Sequence, residues 1–136
     1  MKAAFFGVVL LLAANSGWAF ETGREFLKEC EPSTKQVFTQ LSPDDQLLGI
    51  GCGGYLRGFM AAIRVTEAGQ GKRMICSPAG AEIRQALRIV VGWMNGHAPQ
   101  LDQPAPSLIF SSLSEAFPCG GKPVPPSSGD SAPLSL

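Results

Sequence analysis

The stretch from Ser42 to Ala62, SPDDQLLGIGCGGYLRGFMAA, decides the fold. Ser42 before Pro43 is a helix start. The serine hydroxyl can accept from a free first-turn amide, and proline's missing N–H costs nothing where no helical acceptor exists. Asp44 and Asp45 follow, where the positive end of the helix dipole favours acids. Leu48, Cys52, Tyr55, Phe59 and Ala62 then recur at spacings of four, three, four and three, which draws one apolar stripe along a helix. The pattern predicts that this helix fades near Thr66, before a Gly69-Gln70-Gly71 turn.

Gly49, Gly51, Gly53, Gly54 and Gly58 crowd the same helix, and each costs about 1 kcal/mol relative to alanine. Close approach of another backbone, with room for a bridge at Cys52, would offset that cost. Gly49/Gly53 and Gly54/Gly58 also match the spacing of membrane helix pairs, but Arg57 within the run and Asp44 and Asp45 just before it argue against a span. The glycines follow no strand and lack G-x-x-x-x-G-K-[ST], so a phosphate cradle is not indicated.

Outward from this helix, the chain offers three partners for its apolar face. Upstream, Thr22-Gly23-Arg24-Glu25 fits a capping box, and a short helix should follow with Phe26, Leu27 and Cys30 on one face. Glu31 to Leu41 reads as one loose turn carrying Val37, Phe38 and Leu41. Downstream, Ser77-Pro78 repeats the Ser-Pro start. Ile83, Leu87, Val90 and Met94 mark a third stripe, widened by Ala86, Val91 and Trp93 and stopped at Asn95-Gly96. A last helix is expected from Gln103 or Pro104 to Ala116, capped by Asp102, with Leu101, Ala105, Leu108, Ile109, Leu113 and Ala116 on its buried side. Pro118 ends it. No segment alternates with period two. The fold class is therefore all-α, a small four-helix domain.

The two ends of the chain lie outside that domain. Residues 1–19 read as a secretory signal peptide: Lys2, an apolar run from Phe5 to Ala14, and the small-x-small pattern Gly17-Trp18-Ala19 with cleavage before Phe20. The run is shorter than the roughly 20 apolar residues a bilayer span needs, so no membrane span is expected after cleavage. Residues 120–136, GGKPVPPSSGDSAPLSL, form a Pro/Gly/Ser-rich tail of the composition that stays disordered. Residues 20–119 carry the fold. The chain of 136 residues holds 11 Lys+Arg against 11 Asp+Glu, and this balance argues against a nucleic-acid partner, which calls for a basic face.

Export places Cys30, Cys52, Cys76 and Cys119 in an oxidising compartment, as candidates for two disulfides. Sequence alone allows three pairings. A short connection makes the last two helices antiparallel neighbours, which brings Cys76, before one, to Cys119, after the other. Cys30 ends the first helix, and Cys52 comes within reach if that helix folds back. Geometry thus prefers Cys30–Cys52 and Cys76–Cys119. A four-Cys zinc site wants C-x₂₋₄-C pairs, and a redox motif wants C-x-x-C; neither spacing is present. No metal or cofactor is expected.

His97 is the single histidine. A general base there would need companions, and no G-x-S-x-G, H-E-x-x-H or paired-carboxylate motif supplies them. Bracing the turn between helices is its plainer role. Glu67, Glu82, Asp102 and Glu115 share no face, and Lys72-Arg73 reads as a solvated pair in a turn. The chain reads as a binding protein, not an enzyme.

Three ordered pieces point to a family. Cys52-Gly53-Gly54-Tyr55-Leu56-Arg57-Gly58 resembles a C-x-G-Y-[IL]-x-G signature. Cys76-Ser77-Pro78-Ala79-Gly80 resembles C-x-P-x-G, and Val90 to Cys119 resembles an ending that closes on A-F-P-C. Together they resemble the Rap/Tai immunity proteins of bacterial type VI secretion systems, over roughly Gly23 to Cys119. The resemblance implies a periplasmic, disulfide-bonded helical domain, often a homodimer. Such a domain binds a secreted amidase-type effector and blocks its cleft. In such a complex the protruding turns are the expected inserts. The Glu67–Arg73 turn offers Glu67, Gln70, Lys72 and Arg73; the Asn95–Asp102 connection offers His97 and Gln100. The competing reading is a periplasmic stress or chaperone-like helical protein with no toxin partner, using Tyr55, Phe59 and Trp93 as an apolar face.

Overall fold

The computed structural model describes residues 20–120. The expected signal peptide and, beyond Gly120, the expected tail lie outside the described residues. Within them are four α-helices and no strand: α1 (Gly23–Cys30), α2 (Pro43–Gln70), α3 (Ile83–Gly96) and α4 (Ala105–Ala116). Single 3-10 turns at Pro32–Thr34, Phe38–Gln40 and Ala98–Gln100 link them. No described helix is long and apolar enough to cross a membrane.

Each helix starts for a local reason. In α1 the Thr22 hydroxyl accepts from the Glu25 amide, and the Glu25 carboxylate accepts from the Thr22 amide, which completes the capping box. The Ser42 hydroxyl accepts from the Asp45 amide at the head of α2. The third helix departs from expectation. Ser77-Pro78 does not start it; the chain turns at Pro78–Ala81 and α3 begins at Ile83. The Ala81 amide donates to the Pro78 carbonyl at 3.2 Å, with Gly80 at φ 81. A positive φ at the third position is the signature of a type II turn, and it stops helix growth there. Asp102 does not cap α4 either. Pro104 occupies the N-cap position, and Asp102 turns to Arg24, Oδ1 to Nε at 3.0 Å. That hydrogen bond and its charge hold the Asp102 carboxyl below its usual range.

The core is built from the inner faces of all four helices. Phe26 and Cys30 come from α1, Cys52 and Leu56 from α2, Val90 and Met94 from α3, and Leu108, Ile109 and Leu113 from α4. On α2 the buried centre falls on Cys52 and Leu56, whereas Ala62 is exposed. Phe20 packs edge-on against both Phe26 and Tyr55, with centroids 5.1 Å apart in each pair. Burial raises the Tyr55 phenol above its ordinary pKa.

Two kinds of tether fix the order of the helices. At one end, backbone bonds from Gly23 and Arg24 to the carbonyls of Gln103 and Leu101, and from Ala105 to that of Glu21, stitch the start of α1 to the entry of α4. Gly23 is required there, because a Cβ would collide with the Leu108 side chain and press on the Leu101 carbonyl. The covalent tethers are Cys30–Cys52 and Cys76–Cys119, the preferred pairing. The Cys76 amide also donates to the Phe117 carbonyl at 2.9 Å, so the approach to α3 and the end of α4 meet as an antiparallel hairpin requires.

The helical glycines divide into two groups. A Cβ on Gly49 would come within 2.9 Å of the Ser33 side chain, so that glycine admits the Pro32–Thr34 turn. Gly54 and Gly58 have nothing within 4 Å of the corresponding position. Helix α2 also runs one turn further than expected, to Gln70, because Gly71 and not Gly69 takes the left-handed capping conformation, φ 64. Glu67, in that last turn, is buried, and its Oε1 accepts from the Met74 amide at 2.6 Å and the Ile75 amide at 3.0 Å. These bonds, that from Ile75 foremost, lower the carboxyl's pKa, helped by the Arg73 and Arg64 charges.

Two predictions follow from these ties. The disulfides close loops of 22 and 43 positions, for which the chain-entropy relation gives about 3 and 4 kcal/mol. Replacing either pair by serine should therefore lower the melting temperature by more than about 10 °C in a domain of this size. Circular-dichroism melts test this, and variants that melt with the parent chain would refute it. Glu67 has a depressed folded pKa, so its contribution is present above the unfolded value of about 4.3 and is lost as pH falls through the folded value. Glu67→Gln should melt below the parent chain at pH 7, and the gap should close on acidification. A gap independent of pH would show that the carboxylate charge plays no part.

Candidate functional site

The residues named as partner contacts separate into two clusters. At the end of α2, Gln70, Lys72 and Arg73 are exposed on the turn that Gly71 reverses. Glu67 is not on that surface. Its carboxylate points inward to the Met74 and Ile75 amides and holds the returning chain against α2. The turn is thus a short cationic knuckle on a braced base.

The second cluster lies between α3 and α4. The His97 amide donates to the Met94 carbonyl and closes α3. The ring stacks on Trp93, with centroids 3.7 Å apart and planes 11° apart. Its Nδ1 lies 2.7 Å from the Trp93 carbonyl oxygen, an acceptor, so Nδ1 carries the proton in that bond. Trp93 is anchored in turn, its Nε1 donating to Glu115 at 2.7 Å. Gln100 is half-buried; its amide donates to His97 and its carbonyl accepts from Gln103, each at 2.9 Å. The connection is therefore tightly wound. Tyr55, Phe59 and Trp93 are partly buried and packed against the core.

These two clusters do not converge. The first adjoins the Cys76–Cys119 end of the α3–α4 hairpin and the second its opposite end, set apart by about 18 Å, the length of a helix of 12 residues. A single insertion into a cleft can use one of them and not both.

Two further features were not anticipated from the sequence. An open groove of about 630 Å³ runs between the second half of α2, the start of α3 and the end of α4, bordered by Arg57, Arg64 and Arg84. Their positions on two helices hide the grouping in the sequence, although Arg57 and Arg64, seven apart, share a helix face. The outer face of α2 is the second. Leu47, Ile50 and Val65 are 60%, 63% and 74% exposed, and they lie on one side of the helix with Gly54, Gly58 and Ala61. Among the described residues, no group of three or more His, Cys, Asp or Glu could hold a metal ion.

Comparison with known proteins returns no matching curated protein and no matching solved structure. A family model does match, that of the Rap1a immunity proteins, and it covers residues 22–119. The match runs from the N-cap of α1 to the second cysteine of the Cys76–Cys119 bridge and includes all four helices. The chain belongs to the Rap1a immunity protein family.

Proposed function

We propose that this chain is a periplasmic immunity protein that binds a peptidoglycan amidase delivered by a type VI secretion system and occludes its active-site cleft. Family membership across the whole helical unit carries the reading. The two disulfides fit an oxidising compartment, as does the signal-like start of the sequence. In this reading the chain acts by binding, and His97, stacked on Trp93 with Nδ1 donating to the Trp93 carbonyl, braces the turn between α3 and α4.

A cleft-blocking insert must keep its shape when it leaves water, or ordering it would consume the binding energy. The Asn95–Asp102 connection meets that need. It is closed by the α3 cap, wound by the Ala98–Gln100 turn and pinned to α1 by Arg24–Asp102. We assign it as the insert, with His97 and Gln100 at its centre. The Gln70–Arg73 turn, at the other end, then contacts the effector outside the cleft or not at all.

We further propose a homodimer seam on the outer face of α2. Gly54 and Gly58 weaken the helix, and no packing among the described residues accounts for them. Close approach of a second α2 would account for both glycines and would cover Leu47, Ile50 and Val65.

Two experiments test these statements. In the first, the mature chain is mixed with an amidase encoded beside its gene, and complex formation and peptidoglycan cleavage are measured. Stoichiometric inhibition is expected, with His97→Ala and Gln100→Ala together weakening it at least tenfold, the scale of a central contact pair. Failure to bind or inhibit would refute the neutralisation reading. In the second, sedimentation should give a dimer that Ile50→Asp with Val65→Asp converts to a monomer. A monomer from the outset, or a dimer indifferent to both changes, would remove the seam.

A further inference from the structure

We propose that the groove between α2, α3 and α4 is a docking site for an acidic, apolar segment of a protein partner. This goes beyond the neutralisation reading and does not depend on it, because it rests on the groove alone.

The groove exists because α3 starts late. A helix from Pro78 would place more than a turn of side chains beside the second half of α2. The type II turn at Pro78–Ala81 leaves that space open instead. Leu113, in the last turn of α4, and Phe117, which caps that helix, line its base. Both are buried in the core, so the base is apolar and rigid. Met60 and Ile83 form the sides and remain partly exposed.

The rim carries a surplus of positive charge, Arg57, Arg64 and Arg84 against Glu82. Arg57 and Arg64 stand two turns apart on the same face of α2, both exposed, and neither is ion-paired among the described residues. The nearby Glu67 feels the Arg64 and Arg73 charges but forms an ion pair with neither, because its Oε1 is held by the Met74 and Ile75 amides. Across the opening, Arg84 is held over the Phe38 ring, 4.9 Å from its centroid, and reaches the Gln36 carbonyl at 3.4 Å. Burial and the Arg88 charge both disfavour its cationic form. Glu82 is the one acid lining the groove. Lys72 and Arg73, on the turn that follows α2, extend the positive field.

An apolar base under a ring of guanidinium groups selects for a side chain and carboxylates presented together. Guanidinium binds carboxylate through paired, charge-assisted hydrogen bonds. A peptide segment with a Leu or Phe between acids meets both demands. A bilayer surface does not, because the apolar base is recessed below the rim. A second copy bound through its own α2 would bring Arg57 and Arg64 towards a cationic rim.

The probe is an acetylated, amidated, fluorescein-labelled pentapeptide, Glu-Leu-Glu-Phe-Glu, titrated into the mature chain with anisotropy as the readout. Its controls are Gln-Leu-Gln-Phe-Gln and Glu-Ser-Glu-Ser-Glu. Saturable binding is expected for the first peptide alone. Arg57→Gln with Arg64→Gln should weaken it at least roughly fivefold and flatten its salt dependence, with the melting temperature unchanged. Glu82→Gln should tighten it. The proposal falls if the Gln peptide binds equally well, or if the double variant binds like the parent. It also falls if anionic vesicles bind the chain with the same arginine dependence and displace the peptide. Binding at least fivefold tighter to a chain ending at Gly120 would make the tail the occupant and equally overturn it.

Discussion

The link on which the rest of the molecule depends is the closure between Cys76 and Cys119, doubled by the Cys76 amide on the Phe117 carbonyl. A hundred-residue helical unit buries a modest core, and a covalent tie across 43 positions removes much of the disorder that the unfolded chain would otherwise regain. Its position matters as much as its strength. It holds the end of α4 beside the approach to α3, so the segment Met74–Cys76 must return along the last turn of α2. Glu67 then meets the amides of Met74 and Ile75, two donors that would otherwise lack partners in a buried place. Turn and brace both follow from one closure.

Much of this was legible in the sequence. The capping box at Thr22–Glu25, the Ser42-Pro43 start and the Asn95-Gly96 stop mark helix ends by local chemistry, and local chemistry survives into the fold. The Cys76–Cys119 pairing followed from a short connection between the last two helices, and Cys30–Cys52 from the first helix folding back on the second. What misled was a signal with two physical meanings. Ser77-Pro78 matches Ser42-Pro43, but Gly80 stands two residues beyond the second proline, and a glycine there admits the left-handed conformation that closes a turn instead. In the same way, the pattern predicts that α2 fades near Thr66, before a Gly69-Gln70-Gly71 turn, yet a helix tolerates one glycine when its last turn is anchored, here by Glu67, and Gly71 ends it.

The exposure of the proposed contacts was legible in part, for a different reason. A contact residue can be guessed from its place on a turn, and Gln70, Lys72 and Arg73 are exposed as that logic requires. Glu67 shows the limit of the approach. Its place in the sequence resembles that of its polar neighbours, but its side chain faces the returning backbone, and only the path of Met74 and Ile75 decides that. Arg57, Arg64 and Arg84 show the converse. Their grouping belongs to the packing of α2 against α3, and no spacing along the chain encodes it fully.

Balanced charge conceals an uneven distribution. Arg57, Arg64, Lys72, Arg73 and Arg84 gather towards the Cys76–Cys119 closure and outnumber Glu67, Glu82 and Glu115 there, whereas at the other end Asp102 is paired with Arg24. A local surplus of one sign orients an approaching partner even when no net charge draws it in. The two ends are therefore suited to different contacts. The wound, half-buried connection at His97 suits a shape-driven insertion, and the arginine-rimmed end suits an acidic surface. Both sets of contacts can act at once only on a partner, or on two partners, spanning the length of α4.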